Sequence, residues 1–146
     1  MNRKGVSYDV GRVMGFNWRP HFDPKTVEQE LEIIAKDLHC NAVRICGRSL
    51  DRLMIAAEFA TQQGLEVWLS PELWDKSPEM TLKYVTKAAT AAEKLRQRYP
   101  ERLVFSVGSE LTLFMQGIVE DSNVVARIKN RAFMPRVKAG RAQQAT

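Results

Sequence analysis

The sequence predicts an α/β fold of parallel strand–helix units, arranged as a partial (half) (β/α)₈ barrel with about four strands. Two observations carry this expectation. Strand-like segments begin near residues 5, 41, 65 and 103, with one helical segment in each interval, the pattern of βαβ crossovers and a parallel sheet. The strands are also apolar on one face only. A doubly wound sheet, covered by helices on both sides, reads as continuous apolar runs. A barrel carries its helices outside and can hold polar side chains inside, near its mouth. The alternatives are a non-barrel α/β sheet, an antiparallel-like half-solvated sheet, or the exposed face of a fragment.

The elements follow in order. Gly5 to Gly11 reads as the first strand. Asp23 is placed to cap a helix that starts at Pro24. The spacing of Val27, Leu31, Ile34 and Leu38 gives that helix one apolar face, with His39 at its end. Asn41 to Gly47 is the second strand. A helix over residues 50–63 presents Leu50, Leu53, Ala57 and Ala60, and Gly64 sits at its C-terminal cap position. Leu65 to Ser70 is the third strand, limited by Pro71. Ser77-Pro78 opens the third helix. Its expected stripe is Leu82, Val85, Ala89, Ala92, Leu95 and Tyr99, and Pro100 stops it. Leu103 to Val107 is the fourth strand, followed by Gly108-Ser109-Glu110.

The strand faces mark candidate functional residues. In the second strand Val43 and Ile45 oppose Ala42, Arg44 and Cys46. In the third, Leu65, Val67 and Leu69 oppose Glu66, Trp68 and Ser70, with Glu72 continuing the polar side. In the fourth, Leu103, Phe105 and Val107 oppose Val104, Ser106, Gly108 and Glu110. Arg44, Glu72 and Glu110 therefore fall near the C-terminal ends of successive strands, where barrel enzymes hold their sites. A carboxyl there can act as acid or base, and an inward Arg can orient carboxylates and lower their pKa values. Taken singly, each residue is more readily read as part of an ordinary ion pair at the sheet end. Trp68 and Trp74 flank the third strand's mouth, placed either to stack on sugar rings or to fill the barrel's top layer. Trp18, in the first loop, is open to the same two readings.

Composition limits the classes. The chain has 146 residues, 45% apolar and 27% charged, which suits one soluble globular domain or half of a large one. No apolar run reaches about 18 residues, so no membrane span is expected. The N-terminus has no h-region, so no secretory leader is expected. Two cysteines, Cys40 and Cys46, make no disulfide framework, and a cytoplasmic protein with reduced thiols is expected. Gly11-Arg12-Val13-Met14-Gly15 lacks the spacing of a dinucleotide loop. His21 and His39 are isolated and read as structural, and Cys46 has no nearby His to activate it. No metal and no cofactor are expected.

The net charge of +5 is concentrated at the end: residues 118–146 hold six basic residues against two acidic ones. The expected division is therefore a half-barrel over 1–117 and a basic tail over 118–146. Val124, Val125 and Ile128 could start a helix in that tail, and most of 130–146 is expected to lack fixed structure. A basic tail can bind nucleic acid, with steep salt dependence, but the near-neutral body makes that reading the weakest.

Ala42-Val43-Arg44-Ile45 and Val107-Gly108-Ser109-Glu110-Leu111 resemble the second and fourth strands of clan A glycoside hydrolases, which are (β/α)₈ barrels. In that family the Glu ending strand four is the acid/base. More closely, the segments 38–45, 64–71 and 108–114 resemble bacterial proteins labelled abortive infection proteins, themselves similar to such barrels. The similarity covers residues 4–117. It implies Glu110 as acid/base, Arg44 as its electrostatic support, and Trp68, Glu72, Trp74 and Ser109 as carbohydrate-side contacts. Two departures stand out. Ser109 occupies the place of the family's Asn, which contacts the sugar 2-hydroxyl, and the family's second catalytic carboxylate lies on strand seven. Glycoside cleavage by the usual route needs two carboxyl groups, about 5–5.5 Å apart for retention and 6.5–9.5 Å for inversion. The expected function is therefore glycosidic hydrolysis in a completed barrel, without competence in this chain alone. A truncated or frameshifted product after about residue 117 is one account of the half-barrel. A homodimer that closes eight strands around two Glu110 residues is another, and an unrelated small α/β domain is a third. The alternative function is a non-enzymatic module, associated with phage defence or carbohydrate binding, that acts through self-association.

Overall fold

The structure is a computed structural model and describes residues 2–13, 16–108, 110–121 and 123–129. Four parallel strands, β1 (Gly5–Asp9), β4 (Ala42–Gly47), β5 (Glu66–Pro71) and β6 (Leu103–Phe105), lie side by side in chain order. Helices α1 (Pro24–Lys36), α2 (Leu50–Gln62) and α3 (Pro78–Arg98) connect them. A two-residue antiparallel hairpin, β2 (Arg12–Val13) with β3 (Phe16–Asn17), follows β1. Sequence reading treats that stretch as loop, because strands this short carry no alternation. Two short helices, α4 (Leu111–Phe114) and α5 (Val124–Lys129), follow β6.

The register places Ser7, Arg44, Trp68 and Val104 in one row and Asp9, Cys46 and Ser70 in another on the same face. The opposite face carries Tyr8, Val43, Ile45, Val67 and Leu69, which join Val27, Leu31, Leu53, Ala57 and Leu95 of the helices in one core. Burial of each large aliphatic side chain there contributes about 1.5–3 kcal/mol. The other face is covered unevenly: Trp68 is 41% and Val104 37% exposed, whereas Ala42, Cys46 and Ser70 are buried. The fold is thus α/β with an all-parallel sheet, layered as a barrel segment is layered.

Local chemistry sets the element ends, with some departures from expectation. The Asp23 carboxylate accepts from the Lys25 and Thr26 amides at 3.2 Å and caps α1. That helix stops at Lys36, and His39 takes a left-handed φ of 52°. Leu38 is thereby turned outward, while Cys40 continues into the core. Ser77 caps α3 by accepting from the Met80 amide at 3.3 Å. The buried face of α3 is Thr81, Ala88, Ala92 and Leu95, and Leu82 is 68% exposed. Tyr84 donates to the Arg48 carbonyl at 2.8 Å, which pins this rotation. The fourth strand is shorter than expected: its chain leaves the sheet after Ser106 donates to Leu69 O at 2.9 Å, and Val107 is exposed. Gly47 at the end of β4 has φ +150°, and a Cβ there would sit 2.6 Å from Val10 Cγ2.

The residues just after Gly117 are not detached from the body. Trp74, Phe114 and Val124 form a second small core with Leu113, and Val119 is buried. Arg127, counted with the tail charges in sequence reading, has a fully buried side chain. Residues 130–146, where the sequence suggests no fixed structure, lie outside the described residues.

Candidate functional site

The candidate site is the polar face of the sheet at the C-terminal strand ends. Alternation along β4 turns Arg44 to this face, while Val43 and Ile45 anchor the strand in the core. Arg44 Nη2 donates to Ser70 Oγ at 3.0 Å and to Glu72 Oε1 at 3.2 Å. The two partners differ in burial: the Arg44 side chain is 42% exposed and the Glu72 side chain 9%. Glu72 follows Pro71, and its amide donates to Gly47 O at 2.9 Å, which ties the strand end to β4.

Burial pushes the Glu72 carboxyl above the ordinary range. Arg44 opposes that shift, and the negative charges of Asp9 and Glu110 add to it. Burial and the neighbouring negative charges thus favour the protonated form of Glu72. Asp9 lies on the inward side of β1, beside Cys46, and accepts from the Gly11 amide at 2.6 Å. The Cys46 thiol donates to Tyr8 O at 3.6 Å. Burial foremost, helped by Glu72, pushes its pKa up, which disfavours a nucleophilic thiolate.

Glu110 precedes α4 with φ 49° and ψ 45°, a left-handed conformation uncommon for a non-glycine residue. Its carbonyl accepts from the amides of Leu113 at 2.8 Å and Phe114 at 3.0 Å. Its side chain makes no capping bond and is exposed to solvent.

Of the residues singled out from the sequence, the structure joins Arg44 to Glu72 directly, and Glu110 bears on Glu72 only as the least of the influences on its carboxyl. Trp68 is placed apart. Its indole N–H donates to Glu66 Oε1 at 2.6 Å, so the ring leans toward the N-terminal rim and away from Glu72. Trp74 is buried against Phe114, with ring centroids 5.9 Å apart, and so packs rather than presenting a stacking surface. Ser109 lies outside the described residues. Trp18 is exposed after the hairpin. Asp9 and Ser7, which carry no motif, share this inward face by alternation from Gly5. Among the described residues no group of three or more His, Cys, Asp or Glu side chains could hold a metal ion, and no helix is long and apolar enough to cross a membrane.

The opposite rim is occupied by strand-fastening bonds. The Asn41 side chain accepts from the Lys4 amide at 2.8 Å and donates to Asn2 O at 2.6 Å. Arg3 pairs with Glu66 at 2.8 Å. No model of a known protein family matches the chain, and a search of curated proteins finds no relative.

Proposed function

We propose that this chain carries one half of a carbohydrate-processing (β/α)₈ site. Glu110 is its acid/base, Glu72 a second, proton-holding carboxyl, and Arg44 the cation that orients Glu72. The observation that carries the reading is the Arg44–Glu72 pair on the polar sheet face at the C-terminal strand ends, where the negative charges of Asp9 and Glu110 act on Glu72. The resemblance of the second and fourth strands to clan A glycoside hydrolases adds the substrate class, a carbohydrate. Glycosidic cleavage requires the other half of the barrel. A second copy supplies it by bringing its β1 edge beside β6, which makes a homodimer of eight parallel strands. In a second reading the same exposed face and strand edges serve a non-enzymatic carbohydrate-binding or defence-associated module; the uncovered face around Val104 and Trp68 favours association of this kind.

The test is a titration of the chain with a panel of neutral oligosaccharides. Amide shifts at Asp9, Arg44, Cys46 and Glu72 are followed by NMR, and reducing-end release is assayed in parallel. Binding should perturb these four positions and leave the Asn41 rim unmoved. Glu110→Gln should retain binding and abolish any cleavage. Unchanged spectra at millimolar concentrations of every sugar would reject the carbohydrate reading. Binding with cleavage that survives Glu110→Gln would reject the assigned acid/base.

A further inference from the structure

Arg127 is the one fully buried charged side chain among the described residues. Burying a guanidinium is costly unless its donors are satisfied, and here they are spread over three segments. Nη2 donates to Asp75 Oδ1 at 2.5 Å, in the loop after β5. Nε donates to Leu113 O at 2.5 Å, in α4. Nη1 reaches Asp121 O at 3.3 Å, and Nη2 also reaches Phe114 O at 3.4 Å. Leu113 and Phe114 are the same residues whose amides donate to Glu110 O. One helical turn is therefore held by Arg127 through its carbonyls and holds Glu110 through its N–H groups.

The loop that carries Glu72 is bound to the same turn. The Asp75 amide donates to Phe114 O at 2.8 Å, and the Gln116 amide to Lys76 O at 3.0 Å. Asp75, like Glu110, is a non-glycine residue in the left-handed region, with φ 52°. Such conformations persist only where their surroundings over-determine them, and here both are tied to Arg127: Asp75 by a direct bond, Glu110 at one remove through Leu113 and Phe114 of α4.

We infer that Arg127 is a positioning residue: by clamping Asp75 to the Leu113 and Phe114 carbonyls, it fixes Glu110 relative to Glu72. The role assigned to those two carboxyl groups rests on the function proposed above, whereas the mechanical coupling does not. A lysine cannot replace the guanidinium, because one ammonium does not reproduce its planar fork of donors.

The experiment compares the full chain with Arg127→Met, Arg127→Lys and Asp75→Asn. The last keeps Arg127 and removes only its anion. Three readouts are taken: amide hydrogen exchange, the NMR titration of the Glu72 side-chain carboxyl, and affinity for whichever oligosaccharide the wild type binds. Exchange at Leu113, Phe114 and Gln116 should quicken about a hundredfold or more, as expected when a buried charge loses its partner, with Ile45 and Leu69 unchanged. The Glu72 titration should move as Glu110 shifts away, and sugar affinity should weaken several-fold. Retained protection at these three amides, or an unmoved Glu72 titration, would overturn the inference. So would loss of protection spreading to Ile45 and Leu69, because Arg127 would then support the whole fold. If the wild type binds no sugar, the proposed function fails and the first two readouts still decide the clamp. If sugar affinity is the same in all variants, the clamp's role at the site fails and the function stands.

Discussion

Arg44 and Glu72 meet at 3.2 Å from unequal burial, with the Arg44 side chain half-buried and the Glu72 side chain almost wholly so. The pair is unlike a surface ion pair, which holds both charges in water and contributes little. Glu72 bears the larger share of the cost of burial.

That cost has a pH signature. The folded Glu72 carboxyl is raised above its unfolded value, by burial first. The folded state therefore binds the proton more tightly than the unfolded chain. Glu72's contribution is fully favourable below its unfolded pKa, near 4.5, and is lost as pH rises through the folded pKa. Glu72→Gln should remove this dependence. Its melting temperature should exceed the wild type's at neutral pH, and the difference should shrink toward acid. Parallel melting curves for the two proteins across about pH 4 to 8 would contradict the assignment.

Core and surface leucines should separate cleanly in denaturant titrations. Leu69 is fully buried between β5 and the helices, so Leu69→Ala should cost about 2–5 kcal/mol. Leu82 is exposed on α3, so Leu82→Ala should stay within about 0.5 kcal/mol. Equal losses at the two sites would mean that α3 is rotated from the orientation described.

Gly47→Ala should be destabilising by about 1–3 kcal/mol, from its positive φ and the collision with Val10. Because Gly47 O accepts the Glu72 amide, the same change should shift the Glu72 amide resonance. A folded variant with an unmoved Glu72 amide would show that the strand ends are not coupled in this way.

Much of this architecture is legible in residue order. Val43 and Ile45 against Arg44 and Cys46 announce a strand with one core face, and Leu65, Val67 and Leu69 against Glu66, Trp68 and Ser70 repeat it. The rotation of α3 is not legible. Its two possible stripes share Ala92 and Leu95, and an alanine-rich helix leaves the choice to tertiary contacts such as Tyr84 with Arg48. Asp9 was readable by alternation but sits in a short strand with no neighbouring motif. Arg127 carries no local sign of burial: it lies in a basic stretch, and its anion, Asp75, is remote in sequence. The direction in which Trp68 leans depends likewise on a bond to Glu66 that periodicity does not specify.

Strand order that equals chain order also bears on how the molecule comes into being. Gly5 pairs with Ala42, Ala42 with Glu66, and Val67 with Leu103. Each new strand thus finds its template already synthesised, and no early strand waits for a late one. Loop-closure entropy is lost in short instalments rather than in one long-range search. On a ribosome the chain can assemble vectorially, strand upon strand. The Glu72–Glu110 region would be the last to mature, because Asp75 must await Arg127.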